Sequence, residues 1–352
     1  MRVRSSVFLA RRLWRVGEPI VPVTQADVAA LAGVSRRTVS NVVNDFQHVS
    51  ASVRDRVEEA IAQLGYTPSQ AARSLRTGRS GVIQLIVPEL DVPYFAELAR
   101  GVLKCAEEHG LSVLISQTLD SVERETEALN GITSEYVDGT ILSAASDAVL
   151  SRRPLTPVVL VGERRWNQFD HVGIDDVAGA KLATQHLIDR GRTRIAFIGA
   201  DPHGQLEMAS WRYRGHAEAL RDAGLPVKES MSAATSGYHR ADGAKAFEEL
   251  LARGERLEAV FCATDLLAFG AMSVAAERGF AIPDDIAFVG FDDLDEGRFF
   301  VPSLSTISPD KEAIAKLAVE ALVRRMAGGS VPAKGHEVVV PFRFIERNST
   351  PR

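Results

Sequence analysis

Apolar residues recur along this chain with two periods, and the change from one to the other falls near residue 80. Before it, Val28, Ala29 and Ala32 share one face at helical spacing. Gly33 stands where a sharply turning chain needs a positive φ. Ser35 is placed as an N-cap, and the helix after it turns Val39, Val42 and Val43 inward. That helix leaves Arg36, Arg37, Ser40 and Asn41 for its other face and first turns. Ser50 is expected to cap a third helix over residues 51–64, with Val53, Val57, Ala60, Ile61 and Leu64 on one side and Gly65 as its stop. The second helix of such a pair, joined by a tight turn, places its N-terminal residues against base edges in the DNA major groove.

From Gly81 onward, short apolar runs alternate with amphipathic helices. Val82–Val87, Leu111–Ile115, Gly139–Leu142 and Val158–Val161 read as strands, with a helix from Pro93 to His109 after the first. Past Asp175 come a helix over Ala178–Arg190, the strand Ile195–Gly199 and a helix over Trp211–Ala223. Ala259–Cys262, the helix Leu266–Arg278 and the strand Ile286–Gly290 continue the series. Strands alternating with helices predict parallel sheets covered on both faces. The break near Asp175 predicts two similar α/β lobes.

Charge sharpens this division. Residues 1–80 hold twelve arginines against six acids, a net of +6. The whole chain of 352 residues carries −5, so the remainder carries −11. A basic head on an acidic body suits a small nucleic-acid module fused to a soluble domain. Residues 1–22, with Arg2, Arg4, Arg11, Arg12 and Arg15 around a short apolar run, read as a disordered basic extension rather than a signal peptide. Cys105 and Cys262 sit in apolar contexts and read as free thiols of a reducing, cytoplasmic environment. No apolar run is long enough to span a bilayer.

Enzyme signatures are missing. No glycine fingerprint for a dinucleotide, no phosphate loop and no nucleophile elbow occurs, and no histidine falls at metal-ligand spacing. The reading is of a non-enzyme without cofactor or metal.

The run Asp27-Val-Ala-x-x-Ala-Gly-Val-Ser-x-x-Thr-Val-Ser40, followed by Gly65-Tyr-x-Pro68 and Ala72-Arg-Ser-Leu75, resembles the headpiece and hinge of the lac repressor family of bacterial transcription regulators. Residues 81–345 resemble that family's regulatory core, a periplasmic-binding-protein-like fold of two parallel-sheet lobes. Val172–Ala180, Arg194–Gly199, Ala263–Ala271 and Ile286–Asp293 carry this second likeness. The resemblance implies a disordered extension (1–22), a helix-turn-helix domain (23–68) and a hinge helix and linker (69–80). An effector-binding and dimerisation core (81–345) and a tail (346–352) follow. The first lobe would take about 81–174 and 309–337, the second about 175–308 and 338–345.

On DNA, the resemblance places Thr24, Ser35, Thr38, Ser40, Asn44 and His48 at phosphates or base edges, and gives Arg36 and Arg37 the choice of operator sequence. Asn41 stands where the family usually has arginine, so the operator would be atypical at that base pair. Ser69 would cap the hinge helix, Arg73 would face DNA and Leu75 would wedge into the minor groove. In the core, Tyr94, Phe95, Arg212, Tyr238, Thr264, Asp265 and Asp292 match positions around a small-molecule cleft. Gly162 and Ser210 depart from residues that many sugar-binding members carry.

The function implied is a homodimeric, nucleoid-associated repressor of a palindromic operator, controlled by a small effector, a sugar or glycoside. The alternatives are a purine or a phosphoprotein co-regulator in the same fold, or a solute-binding protein that would leave residues 24–76 without a use. The apolar faces around Leu98–Leu103 and Leu266–Val274 are expected to form the dimer contact. The segment after Phe344 has no leucine heptads, so no tetramer is expected.

Overall fold

Residues 23–67, 78–144, 154–162, 166–200, 207–328 and 335–351 are described by a computed structural model. The chain divides into two units, Met1–Gly78 and Arg79–Arg352. The expected extension over 1–22 and the hinge residues Ser69, Arg73 and Leu75 lie outside the described residues.

In the first unit, α1 (Gln25–Ala32) starts at Thr24, whose side chain forms a capping box with Asp27. Gly33 ends it at φ 65°, a left-handed conformation that costs glycine little. α2 (Arg36–Val43) starts at Ser35, which accepts from the Thr38 amide at 3.1 Å. α3 (Ala51–Leu64) stops at Gly65. Val28, Ala32, Val39, Val42, Val57, Ala60 and Tyr66 fill the space between the three helices. Ser50 departs from expectation. It occupies the N-cap position, but its side chain makes no capping bond. Only its carbonyl is used, by the amides of Val53 and Arg54.

The second unit holds two six-stranded sheets. Lobe 1 is built from β1 (Val82–Val87), β2 (Ser112–Gln117), β3 (Gly139–Leu142), β4 (Val158–Val161), β5 (Asp170–Gly173) and β11 (Glu337–Val339), in the order β2-β1-β3-β4-β5-β11. Its pairings are all parallel. α4 (Pro93–Glu108) and α10 (Lys311–Met326) pack against each other on this lobe, and α5 (Val122–Asn130) follows β2. Lobe 2 repeats the order with β6 (Ile195–Ala200), β7 (Ser232–Ala234), β8 (Ala259–Cys262), β9 (Ala287–Phe291), β10 (Ser305–Pro309) and β12 (Phe342–Ile345), as β7-β6-β8-β9-β10-β12. Here β12 runs antiparallel to β10. α6 (Asp176–Asp189) packs on α7 (Glu207–Asp222), and α8 (Arg240–Ala252) on α9 (Asp265–Glu277). In both sheets the order reverses beside the first strand. That is where open α/β sheets leave a crevice at the carboxyl ends of their strands.

The chain passes between lobes after Gly173, after Pro309 and after Val339. The last passage comes slightly later than expected, because Val340 still donates to the Gly173 carbonyl of lobe 1 at 2.7 Å. The expected tail is not loose. Ser349 and Thr350 are buried in lobe 2, where Ser349 bridges the Ser305 amide and the Phe288 carbonyl.

Much of the two expected dimer faces is covered within the unit itself. Leu266, Leu267, Phe269, Ala271, Met272 and Val274 of α9 are buried within lobe 2, and Leu98 and Val102 of α4 within lobe 1. Leu103 of the expected α4 face stays exposed, and among the exposed large apolar residues of lobe 2 Phe299 and Val301 stand out, at 78% and 95%.

Candidate DNA-reading face and inter-lobe cleft

The first turn of α2 presents Arg36 and Arg37 to solvent, and neither has a hydrogen bond or ion pair among the described residues. Arg54 differs, being spent on Asp45 at 2.9 Å and on the Phe46 carbonyl. Two guanidinium forks held open on the N-terminal turn of a short helix can each meet guanine O6 and N7. Thr24, Ser35 and Thr38 are occupied with caps, Ser35 and Thr38 sharing a hydroxyl contact of 2.9 Å. Ser40 and Asn41 are half-buried farther along α2, and Asn44 bonds back to the Ser40 carbonyl. His48 is exposed, edge-on to Phe46 at 5.4 Å. Thus Ser35, Arg36, Arg37, Thr38, Ser40, Asn41, Asn44 and His48 lie on α2 and the turns beside it, while Thr24 caps α1.

In the second unit the carboxyl ends of the two sheets enclose a cavity of about 390 Å³. From lobe 1 it is lined by Glu89, Tyr94, Phe95 and Ser143, and from lobe 2 by Arg212, Tyr238, Thr264 and Asp292. Tyr94 and Phe95 meet edge to face at 5.3 Å. Thr264 caps α9, accepting from the Leu267 amide. Six of the seven expected effector residues are therefore brought together.

Asp265 is the exception. It is fully buried and turned away, its carboxylate taking the Thr306 hydroxyl at 2.6 Å and the Leu294 amide at 2.8 Å. Its place is structural, tying α9 to the loop after β9. Burial, with Asp292 nearby, pushes its pKa well up. Ser210, one of the noted departures, is exposed and does not line the cavity.

One buried ion cluster organises the floor. Arg212 donates Nε to Asp176 at 2.9 Å, and Nη1 to the Ala263 carbonyl and, at 3.5 Å, to Asp292. Its guanidinium lies 3.6 Å from the centre of the Phe291 ring. Asp292 sits at φ 109° and Asp293 at φ 48°, both in the region L residues avoid. Such backbone persists where surroundings over-determine it. Here Lys311 Nζ donates to both carbonyls, at 2.6 and 3.1 Å, and the Asp293 carboxylate is taken by Arg347 and Ser308. Burial raises the Asp292 pKa to about 6, against the opposing pull of Arg212 and Lys311. A carboxylate aimed into a cavity beside aromatic faces accepts hydroxyl protons and orients a flat or puckered ring.

Sequence reasoning missed Asp176, and also the Glu89–His239 contact of 3.0 Å that joins the lobes. It also missed Lys311, which pairs with Glu97 at 2.6 Å. Asp176 lies in a stretch that carried the family likeness. Nothing local to Glu89, His239 or Lys311 marks them, because their partners are remote in sequence.

A helix-turn-helix unit joined to a two-lobed α/β core with a cleft at its strand ends defines a ligand-responsive DNA-binding regulator. Residues 24–69 match the bacterial regulatory proteins of the lacI family, and residues 184–350 match the periplasmic binding protein-like domain. The chain is 33% identical over 314 residues to the ribose operon repressor of Escherichia coli (strain K12), covering 86% of this chain and 93% of that one. It is 32% identical to the HTH-type transcriptional repressor PurR of Mannheimia succiniciproducens, over 86% and 92% of the two chains. The lac repressor dimer bound to operator and an anti-inducer is similar in structure, with a TM-score of 0.84 at 26% identity over 94% of this chain and 99% of that one. The chain belongs to the lacI family of bacterial regulatory proteins and is a DNA-binding transcription regulator. No helix among the described residues is long and apolar enough to cross a membrane.

Proposed function

We propose that this chain represses transcription as a cytoplasmic homodimer on a palindromic operator, and that a neutral polyhydroxylated effector, a sugar or glycoside, bound in the inter-lobe cleft sets its operator affinity. The observation that carries the effector reading is Asp292, a carboxylate held in strained backbone at a strand end, facing a cavity walled by Tyr94, Phe95 and Tyr238. Hydroxyl groups donate to the carboxylate while ring C–H faces rest on the aromatics. The likeness to the ribose operon repressor supports a sugar, and the likeness to PurR keeps purines in the screen.

Asp292→Ala tests this. A panel of sugars and purines is screened by thermal shift and by release of operator in fluorescence anisotropy. The variant is expected to bind operator as the native chain does and to lose the response by at least tenfold in effector concentration. Release at the native concentration would refute the cleft assignment. Because the Asp292 carboxyl titrates near 6, effector affinity is also expected to fall between pH 7 and pH 5 as its acceptor oxygens are protonated.

A two-fold dimer buries the same patch from each subunit. Phe299 and Val301 are the most exposed of the large apolar residues of lobe 2 and suit such a patch. Val301→Asp is expected to shift sedimentation from dimer toward monomer at micromolar concentration. An unchanged dimer would place the interface elsewhere.

A further inference from the structure

Three parallel elements of lobe 1 start or end at both places that effector control must connect. β1 begins one residue after Gly81, where the chain arrives from the DNA-binding unit, and leads into the cleft residues Pro88 and Glu89. β3 begins beside Asp138 and leads into the cleft residues Ser143 and Ala144. α10 spans the same lobe in the opposite sense, about 24 Å for sixteen residues at ~1.5 Å each.

Both ends of this assembly are fastened. At the entry, Asp138 accepts from the Ser80 amide at 2.7 Å, the Ser80 hydroxyl at 3.0 Å and the Gly81 amide at 2.8 Å. Arg79 donates to the carbonyl of Met326, the last residue of α10, at 2.7 Å. At the cleft, Lys311, the first residue of α10, reaches into lobe 2 to hold the Asp292 and Asp293 carbonyls while paired to Glu97 of α4. Between the ends α10 is stiffly seated. Ile314, Ala315, Ala318, Val319 and Leu322 are buried, and a Cβ at Gly101 of α4 would stand 2.7 Å from that of Ala315. Helices in such close approach move as one body.

We propose that α10 is the rod that couples the cleft to the DNA-binding unit, with Lys311 and Arg79 as its two positioning residues. Lys311 ties the rod to the loop that carries Asp292, so a change in the angle between lobes moves the helix. Arg79 ties the far end to the chain leaving for the DNA-binding unit. The inference rests on the cleft being the effector site.

A chemical bridge tests it without an identified effector. In Glu89→Cys/His239→Cys, a short bis-maleimide holds the lobes together at the cleft mouth, where the native side chains meet. The probe DNA is a palindrome that the native protein selects from a random pool. Bridging is expected to change operator Kd about tenfold or more in the otherwise native chain. With Lys311→Met or Arg79→Met added, the ratio of bridged to unbridged Kd is expected to collapse to within twofold. Unbridged Kd should stay within threefold, and Lys311→Arg should restore the ratio in part. The single-cysteine variants, treated alike, report any effect of modification itself. Should Lys311→Met fail to fold, Arg79→Met, at an exposed residue outside the cleft, decides the matter. A bridge that acts equally with and without the two substitutions overturns the rod alone. A bridge that leaves operator Kd unchanged in the otherwise native chain overturns the cleft reading and the rod with it.

Discussion

Replacing Arg212 with alanine is expected to lower the stability of the core by about 3–5 kcal/mol, the usual cost of removing one partner from a buried ion pair. Arg212 is 4% exposed and holds two buried carboxylates, Asp176 at 2.9 Å and Asp292 at 3.5 Å. Its loss strands both, removes a donor from the Ala263 carbonyl and uncovers the Phe291 ring. The pH dependence has a definite sign. The folded pKa of Asp292 is already raised, to about 6, so ionising it opposes folding as pH rises through that value. Without the guanidinium this opposition grows, so the variant should lose more relative to the native chain at pH 8 than at pH 5. Urea unfolding of the two proteins at both pH values measures it, as a shift in midpoint at constant m. A loss under 1 kcal/mol at pH 8 would mean that Arg212 serves ligand alone.

This cluster also shows where the sequence stopped being legible. Arg212 and Asp292 could be picked out from a family likeness, and both line the cleft. Asp265 could be picked out in the same way, yet it faces inward to Thr306 and Leu294. Position along the chain says that a residue stands at a strand end, and the direction of its side chain depends on contacts made across the sheet. Inner strands such as β8, with all four residues buried, announce themselves as apolar runs. β5 does not, because its Asp170-His171 pair is polar and still buried. Arg325 and the His336 amide satisfy Asp170, and His171 meets the Gly162 carbonyl at 2.6 Å. β7, a run of Ser-Ala-Ala, carries no β-branched residue and is a strand because β6 pairs with it. The apolar stripe of α9 is legible as a helix face, but its burial beneath α8 within lobe 2 is not, so the stripe alone reads as a surface open to a partner. The three-helix head was the most legible part, since its caps, glycine turns and core positions are all local.

Arg37→Ala is expected to relax operator preference at one base pair in each half-site, at ~1–3 kcal/mol per contact and about twice that for a dimer engaging both halves. The guanidinium is exposed on the first turn of α2 and engaged by no other described group, so its loss should leave the three-helix core intact. Selection of operators from a pool randomised at each half-site position measures this. The variant should accept any base pair at one symmetric position and keep the native preference elsewhere. Arg73 lies outside the described residues, and Arg73→Ala should behave differently. It should weaken binding to all sequences and reduce the slope of log K against log salt by about one phosphate contact per subunit. The two outcomes separate reading of bases from attraction to the backbone. Removing residues 1–78 should abolish operator binding outright while the core, which forms its own unit from Arg79, keeps its response to effector in thermal shift. If that truncated chain still bound operator with native affinity, the head would not be the DNA-binding module. If Arg37→Ala changed affinity for all sequences equally, the residue would be a phosphate contact, and operator choice would rest on Arg36 and Asn41.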